Sequence, residues 1–111
     1  MSAYVISDVV PQDEEAWKAY VRLAPATIEK YGGRYLARGG PVRTMEGNWS
    51  PRLIVLVEFP DRAAVEAWYA SPQYAEALAF RSKALSRNLI CVDGVGTHGS
   101  TRVETLPGTA R

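Results

Sequence analysis

Hydrophobic and polar positions along the chain change period several times, and each change marks an element. Ala3 to Val10 (AYVISDVV) is rich in β-branched residues and ends at Pro11, which predicts a first strand closed by a residue with no amide donor. Past Asp13, a ready helix cap, the apolar set Trp17, Tyr20, Val21, Ala24, Ile28 and Tyr31 falls at offsets 0, 3, 4, 7, 11 and 14. That spacing is one face of a helix. Pro25 lies inside the pattern without the amide an interior turn needs, so a kink or short break is expected near Ala24, and Gly32-Gly33 ends the helix.

Arg34 to Arg38 reads as a second strand, with a bulge or a close approach to the backbone suggested by Gly39-Gly40-Pro41. Strand character resumes over Val42 to Met45, and Glu46-Gly47-Asn48-Trp49 supplies a hairpin turn. Arg52 to Phe59 (RLIVLVEF) is apolar on both alternating faces. Such a strand must be covered on both sides. Asp61 caps a second helix through Tyr69, and Ser71-Pro72 restarts it as a cap followed by a proline at the first helical position. The restarted piece carries Tyr74, Ala77, Leu78 and Leu85 on one stripe, with Arg81 at offset 7 on the same stripe. Asn88 to Val95 (NLICVDGV) closes the domain as a fourth strand. Residues 96–111 hold three Gly and four Thr but only Val103 and Leu106 as large aliphatics, which predicts a flexible or partner-draped tail beyond a single domain at 1–95.

The order β-α-β-β-α-β is that of an α+β, ferredoxin-like split βαβ fold, a four-stranded antiparallel sheet with its helices on one face. The third strand also needs cover on the face the helices leave open. A second copy of the same sheet is the simplest supply, so a homodimer packed sheet to sheet is expected. At 111 residues the chain is short enough for oligomerisation to help it.

The segments Leu23-Ala-Pro-Ala-Thr, Tyr31-Gly-Gly-Arg-Tyr-Leu-Ala-Arg-Gly-Gly, Glu46-Gly-Asn-Trp, Glu58-Phe-Pro and Ala67-Trp-Tyr-Ala-Ser-Pro-Gln-Tyr resemble the domain-of-unknown-function family 1330, from about residue 3 to residue 95. That resemblance implies the dimeric α+β barrel superfamily, and with it the same sheet-to-sheet dimer. Superfamily relatives include cofactor-independent monooxygenases, haem-degrading enzymes, muconolactone isomerases and chlorite-handling haem enzymes. Their pockets usually lie between the sheet and the helices of one subunit. The only histidine, His98, falls in the tail, which argues against a haem-ligating or His-Asp mechanism inside the domain.

Composition narrows the partners. Thirteen basic against 12 acidic residues give a net charge of +1 with no basic run, which makes nucleic acid an unsuited partner. The amino terminus has no basic segment ahead of an apolar stretch and meets Asp8 early, so neither a signal peptide nor a membrane span is expected, and a cytoplasmic location is. Cys91, the single cysteine, sits between Ile90 and Val92 and reads as a small buried apolar side chain. One cysteine and one tail histidine make no zinc site, and Gly39-Gly40 is no phosphate loop, so neither a metal nor a bound cofactor is expected.

Candidate chemistry rests on charges placed where the pattern calls for apolar side chains: Arg38, Glu58, Arg81 and Asp8. A turn about Gly47-Asn48 puts the partner of Arg38 near residue 57 or 58, uncertain by one residue. Arg38 would then hold a carboxylate or enolate oxygen while Glu58 moves a proton, the minimal kit for isomerisation or proton abstraction beside a carbonyl. The competing reading is a structural ion pair at a sheet edge. Arg81 either points into a cavity or snorkels to solvent, and Asp8 is an acid, a base or a solvated cap. Trp49, Trp68, Tyr69 and Tyr74 suit the lining of an apolar pocket, whereas Trp17, Tyr20 and Tyr31 continue the buried stripe of the first helix. Together these features point to a small anionic or carbonyl-containing ligand and to a cofactor-independent isomerase, lyase or monooxygenase. The alternative is a non-catalytic ligand-binding or scaffold homodimer.

Overall fold

A computed structural model describes residues 1–95. The expected tail at 96–111, with His98, Val103 and Leu106, lies outside the described residues. The chain runs β1 (Ala3–Pro11), α1 (Glu14–Lys30), β2 (Arg34–Arg38), β3 (Ile54–Phe59), α2 (Arg62–Tyr69), α3 (Pro72–Ala84) and β4 (Leu85–Asp93). The four strands form one sheet in the order β2-β3-β1-β4, with every neighbouring pair antiparallel. Among the described residues no helix is long and apolar enough to cross a membrane.

Each helix starts where its side-chain cap is. The carboxylates of Asp13 and Asp61 accept from the amides of Ala16 and Ala64, and the Ser71 hydroxyl accepts from the amide of Tyr74 ahead of Pro72. Alternation along β1 sends Ala3, Val5, Ser7 and Val9 toward the helices and Tyr4, Ile6, Asp8 and Val10 to the other face. The core beneath the helices holds Val5, Val57 and Phe59 from the sheet, Tyr20, Ala24 and Ile28 from α1, and Trp68 and Tyr74 from α2 and α3. Gly33 is needed there, because a Cβ on it would stand 2.7 Å from Ile28 and 2.8 Å from Phe59. A side chain there would have to push these two buried neighbours aside.

Several local expectations change. Helix α1 runs unbroken through Pro25. Packing of its inner face against the sheet and α3 outweighs the single hydrogen bond the ring removes, and Thr27 bonds its hydroxyl to the Ala24 carbonyl at 2.7 Å in the same turn. Val42 to Met45 forms no strand, and residues 39–50 are all exposed. A ladder there would pair onto Ser50 to Leu53, where Pro51 has no amide to give. Gly47 nonetheless sits at a positive φ of 89°, as a turn tip requires. The bulge lies between Tyr35 and Ala37 rather than at Gly39-Gly40. Strand β4 begins at Leu85, three residues before the expected Asn88, because α3 passes into it with no intervening loop. Cys91 is exposed rather than buried, on β4 at the edge of the sheet.

Candidate functional site

Between the sheet and α1 lies a cavity of about 210 Å³. Val5, Ser7, Val9, Val55 and Val57 form its floor, Trp17, Tyr20 and Ala24 of α1 its roof, and Trp68 of α2 part of its wall. Pro25 also lines it, so the proline that leaves the Val21 carbonyl without an amide one turn on stands at the cavity wall. The lining is largely apolar and carries two guanidinium groups, Arg38 and Arg87, with no carboxylate among its residues.

Arg87 is the better anchored of the two. Period-two alternation puts it on the inner face of β4, between Leu85 and Leu89, where an apolar side chain would be expected. Its Nη1 donates to the Tyr20 hydroxyl and its Nη2 to the Tyr74 hydroxyl, both at 2.8 Å, and the two hydroxyls lie 2.6 Å apart. Burial works against the charged guanidinium, but Tyr20 and Tyr74 work for it, and the balance stands above the ordinary arginine value. Tyr74, fully buried, is pushed well above the usual phenol range by that burial first and by Tyr20 next, so it remains a neutral hydroxyl.

Arg87 occupies one lone pair on each hydroxyl, and the bond between the hydroxyls uses one of the two O–H protons. The other proton has no acceptor among the described residues. Tyr20 is the member of the pair that lines the cavity. Either hydroxyl can donate to the other, and in the arrangement where Tyr74 donates to Tyr20 the Tyr20 proton is left for an occupant of the cavity. Arg87 and Tyr20 thus stand together at the cavity lining, a guanidinium and a hydroxyl of the kinds that an anionic or carbonyl oxygen accepts from.

Arg38 lies at the opposite edge of the sheet, exposed, with its guanidinium carbon 4.6 Å from the centre of the Tyr35 ring. Burial raises the Tyr35 hydroxyl above the usual phenol value, with Arg38 pulling it the other way and Tyr20 adding to the rise. Among the described residues the ion pairs are Lys18 with Glu14, Arg34 with Glu58 and Arg62 with Asp93, so neither Arg38 nor Arg87 has a carboxylate partner.

The structure separates the expected pair of Arg38 and Glu58. Arg38 stands opposite Val55, on the helix side, two residues out of the expected register; Glu58 stands opposite Arg34, on the other face of the sheet. The Glu58 carboxylate accepts from the Ser2 hydroxyl at 2.8 Å and from Arg34 Nε and Nη2, both at 2.8 Å. The Ser2 hydrogen bond and then Arg34 hold its pKa below the ordinary 4.5. A depressed carboxylate contributes stability that is complete above about pH 4.5 and is lost as pH falls through the lower folded value. Thermal melts from neutral pH to pH 3 are thus expected to fall more steeply for the wild type than for Glu58→Gln. Parallel curves would show that the contact network contributes nothing.

Arg81 does not line the cavity. Its helix packs chiefly on α1, so the inward stripe of α3 meets a helix and not the open space. Tyr69 is exposed and packs edge-on against Trp68 outside the cavity, and Tyr74 lies behind Tyr20 rather than at the wall. Trp49 donates its indole N–H to Asp8 at 3.0 Å, and Asp8 lies on the face of β1 turned away from the helices. Of the eight expected site residues, Arg38 and Trp68 line the cavity. Trp68 is 3% exposed and donates its indole N–H to the Thr27 hydroxyl, which fixes its ring.

Arg87 and Tyr20 were missed as site residues by sequence reasoning. With the strand starting at Leu85, the run Leu85, Arg87, Leu89 shows a charge at an inward position, a signal hidden when Arg87 falls in a connection. Among the described residues no group of three His, Cys, Asp or Glu is placed to hold a metal ion.

Solved structures similar to this chain share its fold. A protein of unknown function from Rhodopseudomonas palustris is 21% identical, covering 86% of this chain and 83% of its own, with a TM-score of 0.69. A dimeric ferredoxin-like protein of unknown function from Jannaschia sp. CCS1 is 18% identical over 85% of this chain and 100% of its own, with a TM-score of 0.57. A candidate antibiotic biosynthesis monooxygenase from Nitrosomonas europaea is 17% identical over 86% of this chain and 100% of its own, with a TM-score of 0.54. No curated protein matches the sequence. The sequence pattern of the domain of unknown function DUF1330 matches residues 2–95, and with the ferredoxin-like sheet and helices now described, the chain belongs to that family.

Proposed function

We propose that this protein binds a small, largely apolar organic molecule bearing an anionic or carbonyl oxygen, in the cavity between α1 and the sheet. The observation that carries this reading is Arg87, a half-buried guanidinium with no carboxylate partner among the described residues, held by two tyrosine hydroxyls at an otherwise apolar wall. A cation so placed supplies orientation, and the apolar lining supplies affinity. The volume of about 210 Å³ lies between a cavity that takes benzene, about 150 Å³, and the lower end of drug-sized sites, about 300 Å³. One ring or a short chain with an acidic group fits it. Nuclear magnetic resonance titration with benzoate and hexanoate tests the proposal. Saturable shifts at Tyr20, Trp68 and Arg87 are expected; no saturable shift at millimolar concentration would overturn it.

Chemistry on that ligand is a second reading, favoured by the Tyr20 hydroxyl beside Arg87, whose proton is free when Tyr74 is the donor between them. Both groups suit a developing enolate oxygen, the shared requirement of cofactor-independent isomerisation, lyase chemistry and oxygenation. Glu58 takes no part in it, because the sheet stands between its carboxylate and the cavity.

The protein works as a homodimer packed sheet to sheet in this proposal. Ile6, Ile54, Leu56, Ile90 and Val92 stand on the sheet face that the helices leave open, with Ile90 58% and Val92 46% exposed. An apolar strip of that kind across three neighbouring strands favours cover by a like surface, and a two-fold dimer supplies it. The Jannaschia sp. CCS1 protein, of the same fold, is dimeric.

A further inference from the structure

The two arginines of the cavity sit on opposite edges of the sheet, and that separation limits the ligand further. Arg38 stands opposite Val55, Val55 opposite Ser7 and Ser7 opposite Leu89, while Arg87 stands opposite Val9 one row along. Strands β2 and β4 are three inter-strand steps apart, about 14 Å at the backbone. Arg87 is tied to Tyr20 and Tyr74, and Arg38 rests against Tyr35. Val55, Val9 and Ser7 floor the space between them, apolar but for the Ser7 hydroxyl.

We infer that the ligand carries two anionic groups, one at each end of an apolar ring or short chain, the first met by Arg87 with Tyr20 and the second by Arg38 at the other edge. The inference rests on the cavity being an anion site and adds the class of anion. A monoanion satisfies Arg87 and leaves Arg38 idle at a wall that holds no carboxylate; a dicarboxylate engages both. The ligand then lies across β1 and β3, its body over Ser7 and Val55, with one head buried and the other where Arg38 meets solvent.

Matched pairs of probes test this by isothermal titration calorimetry: benzoate against terephthalate, and hexanoate against adipate, on the wild type and on Arg38→Met. In at least one pair the dianion is expected to bind about tenfold tighter or better, the contribution of a charge-assisted contact. Arg38→Met is expected to erase that advantage and bring the pair within about twofold. Dianions that bind no tighter than their monoanions, or an advantage that survives Arg38→Met, would overturn the two-headed ligand while leaving the anion site standing. Binding of none of the four probes would remove both.

Discussion

Arg87→Met is expected to weaken binding of benzoate or hexanoate by about ten- to a hundredfold, the loss of a hydrogen-bonded charge at an apolar wall. Methionine keeps most of the side-chain length and fills the same space, so the comparison isolates the charge. Stability is expected to change by about 1–2 kcal/mol at most, because two effects oppose each other. Tyr20 and Tyr74 lose the donor each accepts from, yet they retain each other at 2.6 Å, and the cost of burying a cation disappears. Arg87→Lys should fall between, since an ammonium keeps the charge but cannot reach both hydroxyls as a planar fork does. If Arg87→Met bound these anions as tightly as the wild type while remaining folded, the anchoring role would be lost and with it the proposed site.

Ile90→Glu is expected to convert the proposed sheet-to-sheet dimer into a monomer at micromolar concentration. The side chain stands on the open face of β4 and is 58% exposed in the single chain, so the folded subunit tolerates a carboxylate there. In a sheet-to-sheet dimer the same position is covered, and two-fold symmetry buries two carboxylates without partners. At about 2 kcal/mol or more for each, the dissociation constant should rise about a thousandfold or more. Sedimentation equilibrium of the wild type and the variant measures this. A wild type that sediments as a monomer, or a variant that remains as tightly dimeric, would place the interface elsewhere. Because Ile90 points away from the cavity, ligand titration of the monomeric variant also tells whether the site needs the second subunit.

Much of the fold was legible in the amino-acid pattern because local rules agreed with one another. Asp13, Asp61 and Ser71 each start a helix by satisfying amides that have no partner within it, a matter of three or four neighbouring residues. Strand β2 matches its expected bounds at Arg34 and Arg38, and the need of β3 for cover on both faces follows from apolar residues at every position over Ile54 to Val57. Misreadings fall where a local rule met a longer-range one. Pro25 should break a helix in isolation, but α1 is held by its packing on α3 and by buried residues that join the core. Val42 to Met45 has strand composition, yet no strand lies where it would need one.

The site was read less well, for a physical reason. Sequence alternation tells which residues share a face, but a side chain's partner across a sheet depends on register, and here a bulge between Tyr35 and Ala37 and a long connection to β3 intervene. A reading that paired Arg38 with Glu58 therefore joined residues on opposite faces. Residue types and their spacing along the chain were enough to specify the elements, their order and an apolar sheet face in need of cover. Which charges meet in one space was settled by the packing of α1 and the crossing of four strands, since Tyr20, Arg38, Trp68 and Arg87 come from four elements and no local interaction links them.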